Sequence, residues 1–207
     1  MTTVFKHMTR ENAERLLQGE IRIGSFSYYR EDEHHSSIRD EHEGLTVGRT
    51  DNAVLTSSNR KETIIAGLKF VTDTGGVINV SNCSFVRPLP PLYIFSTSLL
   101  ATAGHFPQYD TVVRIEDIEK FGRVIVDGRR DLFHGYWSGF VQYQERVYDA
   151  MHHPGIEPDP FIKAPKLEQD REFRLVFSPV GSVEPHVTFF LDGIREAFRS
   201  GLCAIVA

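Results

Sequence analysis

The sequence predicts an α+β fold in one domain spanning residues 1–207, and three observations carry that expectation. The chain opens with a strand-like run, a capped helical stretch and a second strand-like run between Thr3 and Ile23. Near the other end, Phe173, Leu175 and Phe177 alternate with Glu172, Arg174 and Val176, the period of a strand with two different faces. Apolar residues make up 41%, and fifteen Phe with seven Tyr suit a core of strands and aromatic packing. A chain of 207 residues can bury a sizeable core, and this composition argues against disorder.

Thr3 to Lys6 reads as the first strand. Thr9 is an N-cap, Glu11 complements the helix dipole, and Ala13, Leu16 and Leu17 recur at helical spacing before a stop at Gly19. Ile21 and Ile23 alternate with Arg22 and Gly24 as in a half-buried strand. Residues 30–62 are polar and charged and are expected to form a long loop or flap. Strand-like runs follow at Thr63–Val71, Gly76–Val80 and, after the PLPP break at 88–91, Tyr93–Ser98. Asp110–Ile115 and Arg123–Asp127 read as strands with a short helix between them, and Phe140–Tyr143 begins another strand. MHHPGIEPDP at 151–160 is a Pro-rich connection. Leu191, Ile194 and Phe198 share a helical face that Gly201 ends, and the tail LCAIVA is expected to dock on the body.

A net charge of −5 and a pI near 6.0 weigh against a nucleic-acid surface. The first residues lack a signal-peptide core, and no run of 18 apolar residues occurs, so the expected location is the cytoplasm, with no membrane partner. Cys83 and Cys203 stand alone without a CxxC pattern, which suggests reduced thiols.

Several common sites are missing. There is no GxGxxG, no GxxxxGK[ST] and no HExxH, and the serine of GYWSG lies one place late for a nucleophile elbow. The acidic loop with Glu33, His34, His35, Asp40, Glu41, His42 and Glu43 carries ligand types that suit Zn, Mn or Fe, but its spacing matches no template and its plainer reading is a solvated charged loop. His152–His153 beside Pro154 reads as a surface turn.

A second constellation runs through FKHMT (5–9), GEIRIGSFSYYRE (19–31), RDEHEG (39–44), IFSTS (94–98) and LEQDREFRLVF (167–177). His7 lies between a strand and a helix N-terminus, where a polar ligand can meet free backbone N–H groups. Tyr28 and Tyr29 follow a strand, Ser96 to Ser98 place hydroxyls on an otherwise apolar strand, and Glu172 opens a strand between Arg171 and Arg174. The layout G-x-I-R-x-G-S with a following aromatic pair, the acidic stretch and the closing E-F-R together resemble the DUF2971-like group, a widespread bacterial and phage family. More remotely, the order His, Tyr and a late Glu is similar to the H-Y-E arrangement of the ADP-ribosyltransferase superfamily, and STS at 96–98 is similar to the triplet of its R-S-E branch.

That resemblance implies an ADP-ribosyltransferase-like split β-sheet core with flanking helices, and NAD as the substrate, with no metal. His7 would hydrogen-bond a ribose of NAD and Thr9 would support its loop. Tyr28 or Tyr29 would stack on nicotinamide, Ser96 would support that pocket or brace the catalytic strand, and Arg22 or Arg30 would pair with the pyrophosphate. Glu172 would stabilise the positive charge that develops as nicotinamide leaves, and Asp170 would choose or activate the acceptor. The acceptor itself, whether protein, nucleic acid or water, stays open, as does the oligomeric state. A transferase or glycohydrolase of this kind would suit a toxin or phage-defence effector. The chain departs from the arginine-modifying branches in having Asp170-x-Glu172 where they have two glutamates. Two rival readings stand beside this one: a non-catalytic nucleotide- or protein-binding module on the same fold, and a metal-dependent hydrolase or nuclease built on residues 33–43. A plainer reading also stands beside each residue: Glu172 as an ordinary surface ion pair with Arg171 or Arg174, Tyr28 and Tyr29 as packing residues, His7 as a structural histidine and Ser96 to Ser98 as strand hydroxyls.

Overall fold

The computed structural model describes residues 1–30, 40–56, 62–65, 68–71, 76–150 and 156–206. Strand Val4–Met8 (β1) ends where the Thr9 hydroxyl accepts from the Asn12 N–H and starts helix Arg10–Leu17 (α1). Gly19, at φ 91°, turns the chain into strand Glu20–Ser25 (β2), and a 3-10 turn follows at Tyr28–Arg30. Next come Leu45–Thr56 (β3), Glu62–Ile65 (β4), Leu68–Val71 (β5) and Val77–Pro88 (β6). Tyr93–Ser98 (β7) and Thr111–Ile115 (β8) lead into helix Ile118–Gly128 (α2). Phe133–Phe140 (β9), Gln142–Tyr143 (β10), Val147–Asp149 (β11) and Ile162–Lys163 (β12) precede a 3-10 segment at Pro165–Asp170. The chain closes with Glu172–Pro179 (β13), His186–Phe190 (β14), helix Asp192–Arg199 (α3) and Cys203–Ile205 (β15).

The result is a strand-rich, mixed α+β architecture around an antiparallel sheet of eight strands. β7 is its hub. Along one edge it pairs with β13 over its full length, from Glu172↔Ser98 to Phe177↔Tyr93, and β9 extends that side. Its other edge is shared by two strands. β1 meets it only at Phe5↔Ser98, and β2 only at Gly24↔Ile94 and Ser25↔Tyr93. β1 continues outward through β8 to β15, whereas β2 continues to β14. Phe95, Ser96 and Thr97 therefore border a gap between two diverging wings.

The three helices share a core with one face of this sheet. Val4 and Met8 of β1, Phe95 of β7, and Phe173, Leu175 and Phe177 of β13 pack with Leu16, Phe121, Ile125 and Ile194. On the opposite face Phe26, Leu92, Ile94 and Val176 form a smaller cluster. The alternation read at 172–177 thus sorts Phe173, Leu175 and Phe177 to the helices and leaves Glu172 and Arg174 on the other face.

Two expectations are corrected. The flap expected at about 30–62 is, over residues 45–56, strand β3, paired with β6 from Leu45↔Pro88 to Thr56↔Val77. The outer part of this arm exposes Asp51, Asn52 and Val54 on β3, while an apolar cluster on the arm is supplied by Val80, Ile78 and Phe85 of β6 with Tyr148 and Ala150, so the pattern of 45–56 read alone does not reveal the strand. Residues 31–39 of that segment, with Glu33, His34 and His35, lie outside the described residues, as do His152 and His153. The strand expected at Arg123–Asp127 is the second half of α2, which Asp117 caps by accepting from the Lys120 N–H. The β-branched run VIV suggested a strand, but Ile118, Phe121 and Ile125 fall on one helical face and are fully buried, and tertiary packing overrides the local preference.

Cutting Phe121 to alanine should cost about 3–5 kcal/mol, since the ring is wholly enclosed between α2 and β7. Equilibrium urea unfolding of the variant measures that loss.

Candidate functional site

The gap in the sheet opens onto a chamber of about 90 Å³. Its walls come from β1 (Phe5, Lys6 and His7), β7 (Ile94, Ser96, Thr97 and Ser98) and β13 (Glu172 and Arg174), with Tyr29, Glu43, Phe106, Tyr109, Lys163 and Asp170 closing it. A wider groove of about 420 Å³ lies between the wings and shares Lys6, His7, Tyr29 and Tyr109 with the chamber. Arg22, Tyr28 and His186 line the groove but not the chamber.

The chamber floor is a chain of buried charges. Glu172 Oε2 accepts from Lys163 Nζ at 2.8 Å, and Glu172 Oε1 accepts from Arg174 Nε at 2.6 Å. The rest of the Arg174 fork donates to both Glu43 oxygens, at 2.9 and 3.0 Å. Lys163 also reaches Asp170 at 3.3 Å, and Arg146 pairs with Asp40 behind Glu43. Burial opposes charge on Glu172, but Arg174 and Lys163 overcome it and hold the carboxyl far below the usual range. Asp170 behaves differently. Burial pushes it up, and the opposing Lys163 does not cancel that effect. The two carboxyls are thereby shifted in opposite directions, Glu172 down by its cations and Asp170 up by burial.

Arg171 separates them in a left-handed conformation, φ 44°, which costs on the order of 1 kcal/mol for a residue with a side chain. That backbone reversal ends the 3-10 segment and starts β13, so Asp170 and Glu172 both line the chamber.

His7 Nε2 lies 2.9 Å from the Leu100 carbonyl, which fixes it as the protonated nitrogen. Nδ1 is buried and has no partner among the described residues. Burial lowers the imidazole pKa further, so the ring is neutral and presents an acceptor. Phe106 packs edge-on against it at 4.9 Å between centroids. Tyr29 reaches the chamber because Gly24 has no side chain. A Cβ on Gly24 would stand 2.9 Å from both the Tyr28 and Tyr29 rings. The STS triplet divides its work. Thr97 Oγ1 donates to Phe173 O in β13 and Ser98 Oγ donates to Asp170 O at the end of the 3-10 segment, and all three line the chamber.

His7, Tyr29, Ser96, Asp170 and Glu172, which the sequence scatters over 166 positions, thus share one chamber. Tyr28 and Arg22 line only the outer groove, where Arg22 donates to the Tyr28 hydroxyl at 2.9 Å and packs over its ring. Thr9 and Arg30 line neither the chamber nor the groove: Thr9 caps α1 two residues after His7, and Arg30 donates to the Glu43 carbonyl. The surface ion pair considered for Glu172 is a buried one, with Arg174 and Lys163. Of the acidic loop, Asp40 and Glu43 are engaged by Arg146 and Arg174, and no cluster of three His, Cys, Asp or Glu side chains forms a metal cage among the described residues. Burial raises Cys203 to about 12, which leaves it a poor nucleophile.

Sequence reasoning gave no role to Lys6 and Lys163, and saw Glu43 only as a loop acid. The pattern E-F-R already held the Glu172–Arg174 pair. Lys163 carries no local signal, because only the parallel pairing of β10 with β12 brings it under Glu172. Among the described residues no helix is long and apolar enough to cross a membrane. Comparison with models of known families, with curated proteins and with solved structures finds no match, so the site must be judged on its own chemistry.

Two outcomes follow from the charge chain. Arg174→Met strands Glu43 and Glu172 without their shared partner and should cost about 3–5 kcal/mol in denaturant unfolding. Lowering the pH should also destabilise the fold. Unfolded Glu172 binds a proton near its ordinary value of 4.5, while the folded one refuses it, so its contribution is full above that pH and drains away below. Thermal melts between pH 6 and pH 3 (both about) should show that fall, shallower in Glu172→Gln.

Proposed function

We propose that this chain cleaves the nicotinamide–ribose bond of NAD and passes the ADP-ribosyl group to an acceptor or to water, on a fold of the ADP-ribosyltransferase type. The observation that carries the reading is that His7, Tyr29, Ser96 and Glu172 line one chamber at a gap in an antiparallel sheet. The divergence of β1 and β2 from β7 is what a split sheet requires. The likeness to the DUF2971-like group extends the same reading to a bacterial or phage setting, where a toxin or defence effector would use it.

The side chains suit a nucleoside. His7 Nδ1 and the Glu172 carboxylate are acceptors, and a ribose supplies hydroxyl donors. Glu172 has a cation on each oxygen and retains lone pairs for a hydroxyl. Tyr29, Tyr109 and Phe106 offer flat apolar walls for a ring. The chamber of about 90 Å³ is too small for a whole dinucleotide, which would extend into the groove of about 420 Å³.

In the reaction the C1′–N bond breaks and its electron pair stays on nicotinamide, which leaves neutral. Positive charge develops across C1′ and the ring oxygen. Glu172, kept ionised by its partners, stabilises that charge in a water-poor chamber. The acceptor's oxygen or nitrogen then bonds to C1′, and its proton passes to Asp170, whose raised pKa suits it to a base.

A second reading is favoured by one fact: the Glu172 charge is already countered by Lys163 and Arg174. A site so neutralised can bind a nucleotide without turning it over. Chromatography of free nicotinamide after incubation with NAD decides between them. The first reading expects release, reduced about a hundredfold or more in Glu172→Gln and in His7→Ala, with near-UV circular dichroism reporting that each variant is folded. Because Glu172 is also structural, loss of activity in an unfolded variant counts for nothing. NAD-dependent thermal stabilisation without release would establish the binding module, and neither response would end both readings. Activity abolished by chelator and restored by Mn or Zn would point to the metal-dependent hydrolase.

A further inference from the structure

Lys6 differs from every other cation around the chamber. Lys163, Arg174 and Arg146 each have a carboxylate within salt-bridge distance. Among the described residues the Lys6 ammonium has none. It donates to the Ser96 carbonyl at 2.6 Å and stands 4.8 Å from the centre of the Phe95 ring.

Its route is unusual too. Val4 and Met8, two residues away on either side, face the helices, and so does Phe95. Lys6 therefore leaves β1 on the helix side, whereas His7 points to the opposite face. Its Nζ reaches the edge of β7 at Ser96, where the gap leaves that strand without a neighbour. The side chain lines both the chamber and the groove and so stands in the throat that joins them.

We propose that Lys6 is the phosphate anchor of this site: its ammonium, set in the throat between chamber and groove, takes the pyrophosphate that links the two nucleosides of a dinucleotide. The proposal rests on the nucleotide reading above and adds the residue that recognises the ligand's charge. In a dinucleotide one nucleoside fills the inner space, the other lies outside, and the phosphates fall at the junction. A desolvated ammonium with no carboxylate in direct contact is costly, and burial lowers Lys6 to about 8, against the opposing pull of the nearby Glu172 charge. An arriving phosphate recovers that cost through a charge-assisted hydrogen bond. The carbonyl of Ser96 and the Phe95 ring keep the ammonium in place before the ligand arrives. Of the pyrophosphate partners that the resemblance implies, Arg30 is held on the Glu43 carbonyl, and Arg22 lines the groove but not the chamber, engaged with the Tyr28 hydroxyl.

The test compares ligands with and without phosphate, by calorimetry on the full chain. ADP-ribose and nicotinamide riboside are titrated into the wild type, Lys6→Met and Lys6→Arg. The expected result is that Lys6→Met weakens ADP-ribose about tenfold or more and nicotinamide riboside about twofold or less, with Lys6→Arg recovering part of the loss. Equal weakening of both ligands would show that Lys6 only braces the gap, and would overturn the proposal. Unchanged ADP-ribose affinity in Lys6→Met, or no ADP-ribose binding by the wild type, would overturn it as well. Nicotinamide release from NAD, followed in parallel, judges the parent reading separately. A wild type that binds ADP-ribose through Lys6 but releases no nicotinamide keeps the anchor and removes the transferase.

Discussion

The structure around the gap depends on Arg174, a fully buried guanidinium that joins Glu43 to Glu172. A buried charge on this scale is tolerated only when its donors are all met, and here the fork is satisfied by two carboxylates and the Pro160 carbonyl. The pair does three things at once. It ties residues 40–44 to the central sheet, it keeps Glu172 ionised in a place where burial would neutralise it, and it closes the floor of the chamber. Lys163 completes the arrangement from the other side and carries the charge chain on to Asp170.

Order at such a site is bought with rigidity. Thr97 ties β13 to β7, Ser98 holds the end of the 3-10 segment, the Tyr143 hydroxyl accepts from the Glu172 N–H, and Arg171 holds the reversal that brings Asp170 beside the chamber. Two groups of β1 stand at the opening: the Nδ1 of His7, without a hydrogen-bond partner among the described residues, and the ammonium of Lys6, held on the Ser96 carbonyl, on adjacent residues with side chains on opposite faces of the sheet. An acceptor and a cation so placed suit a ligand that offers a donor and an anion.

The fold explains why these groups meet at all. β7 has one neighbour over its whole length on one edge and two partial neighbours on the other. The helices pack on one face and hold the wings apart, so the gap persists without loss of the core beneath it. Gly24 then lets the Tyr28 and Tyr29 rings fold back along β2 towards the opening.

Much of the framework was readable from local pattern. The Thr9 cap, the Gly19 turn, the alternation of 172–177 and the helical face of Ile194 all follow from periodicities and backbone preferences that act within a few residues. His7, a tyrosine at 28–29, Ser96 and Glu172 stood out as polar or aromatic residues on or beside strands, and the resemblance added Asp170. The sequence alone could not set the β3–β6 arm, whose apolar cluster is completed by Tyr148 and Ala150 from far along the chain, nor the helix at 123–127, whose β-branched run is overruled by burial. It also could not join Lys163 or Glu43 to Glu172, since those contacts arise from strand pairing and charge compensation between segments distant in the chain. Local chemistry determined which residues were suited to a site, and only the tertiary structure, by desolvating them together, decided their charge, their partners and the space between them.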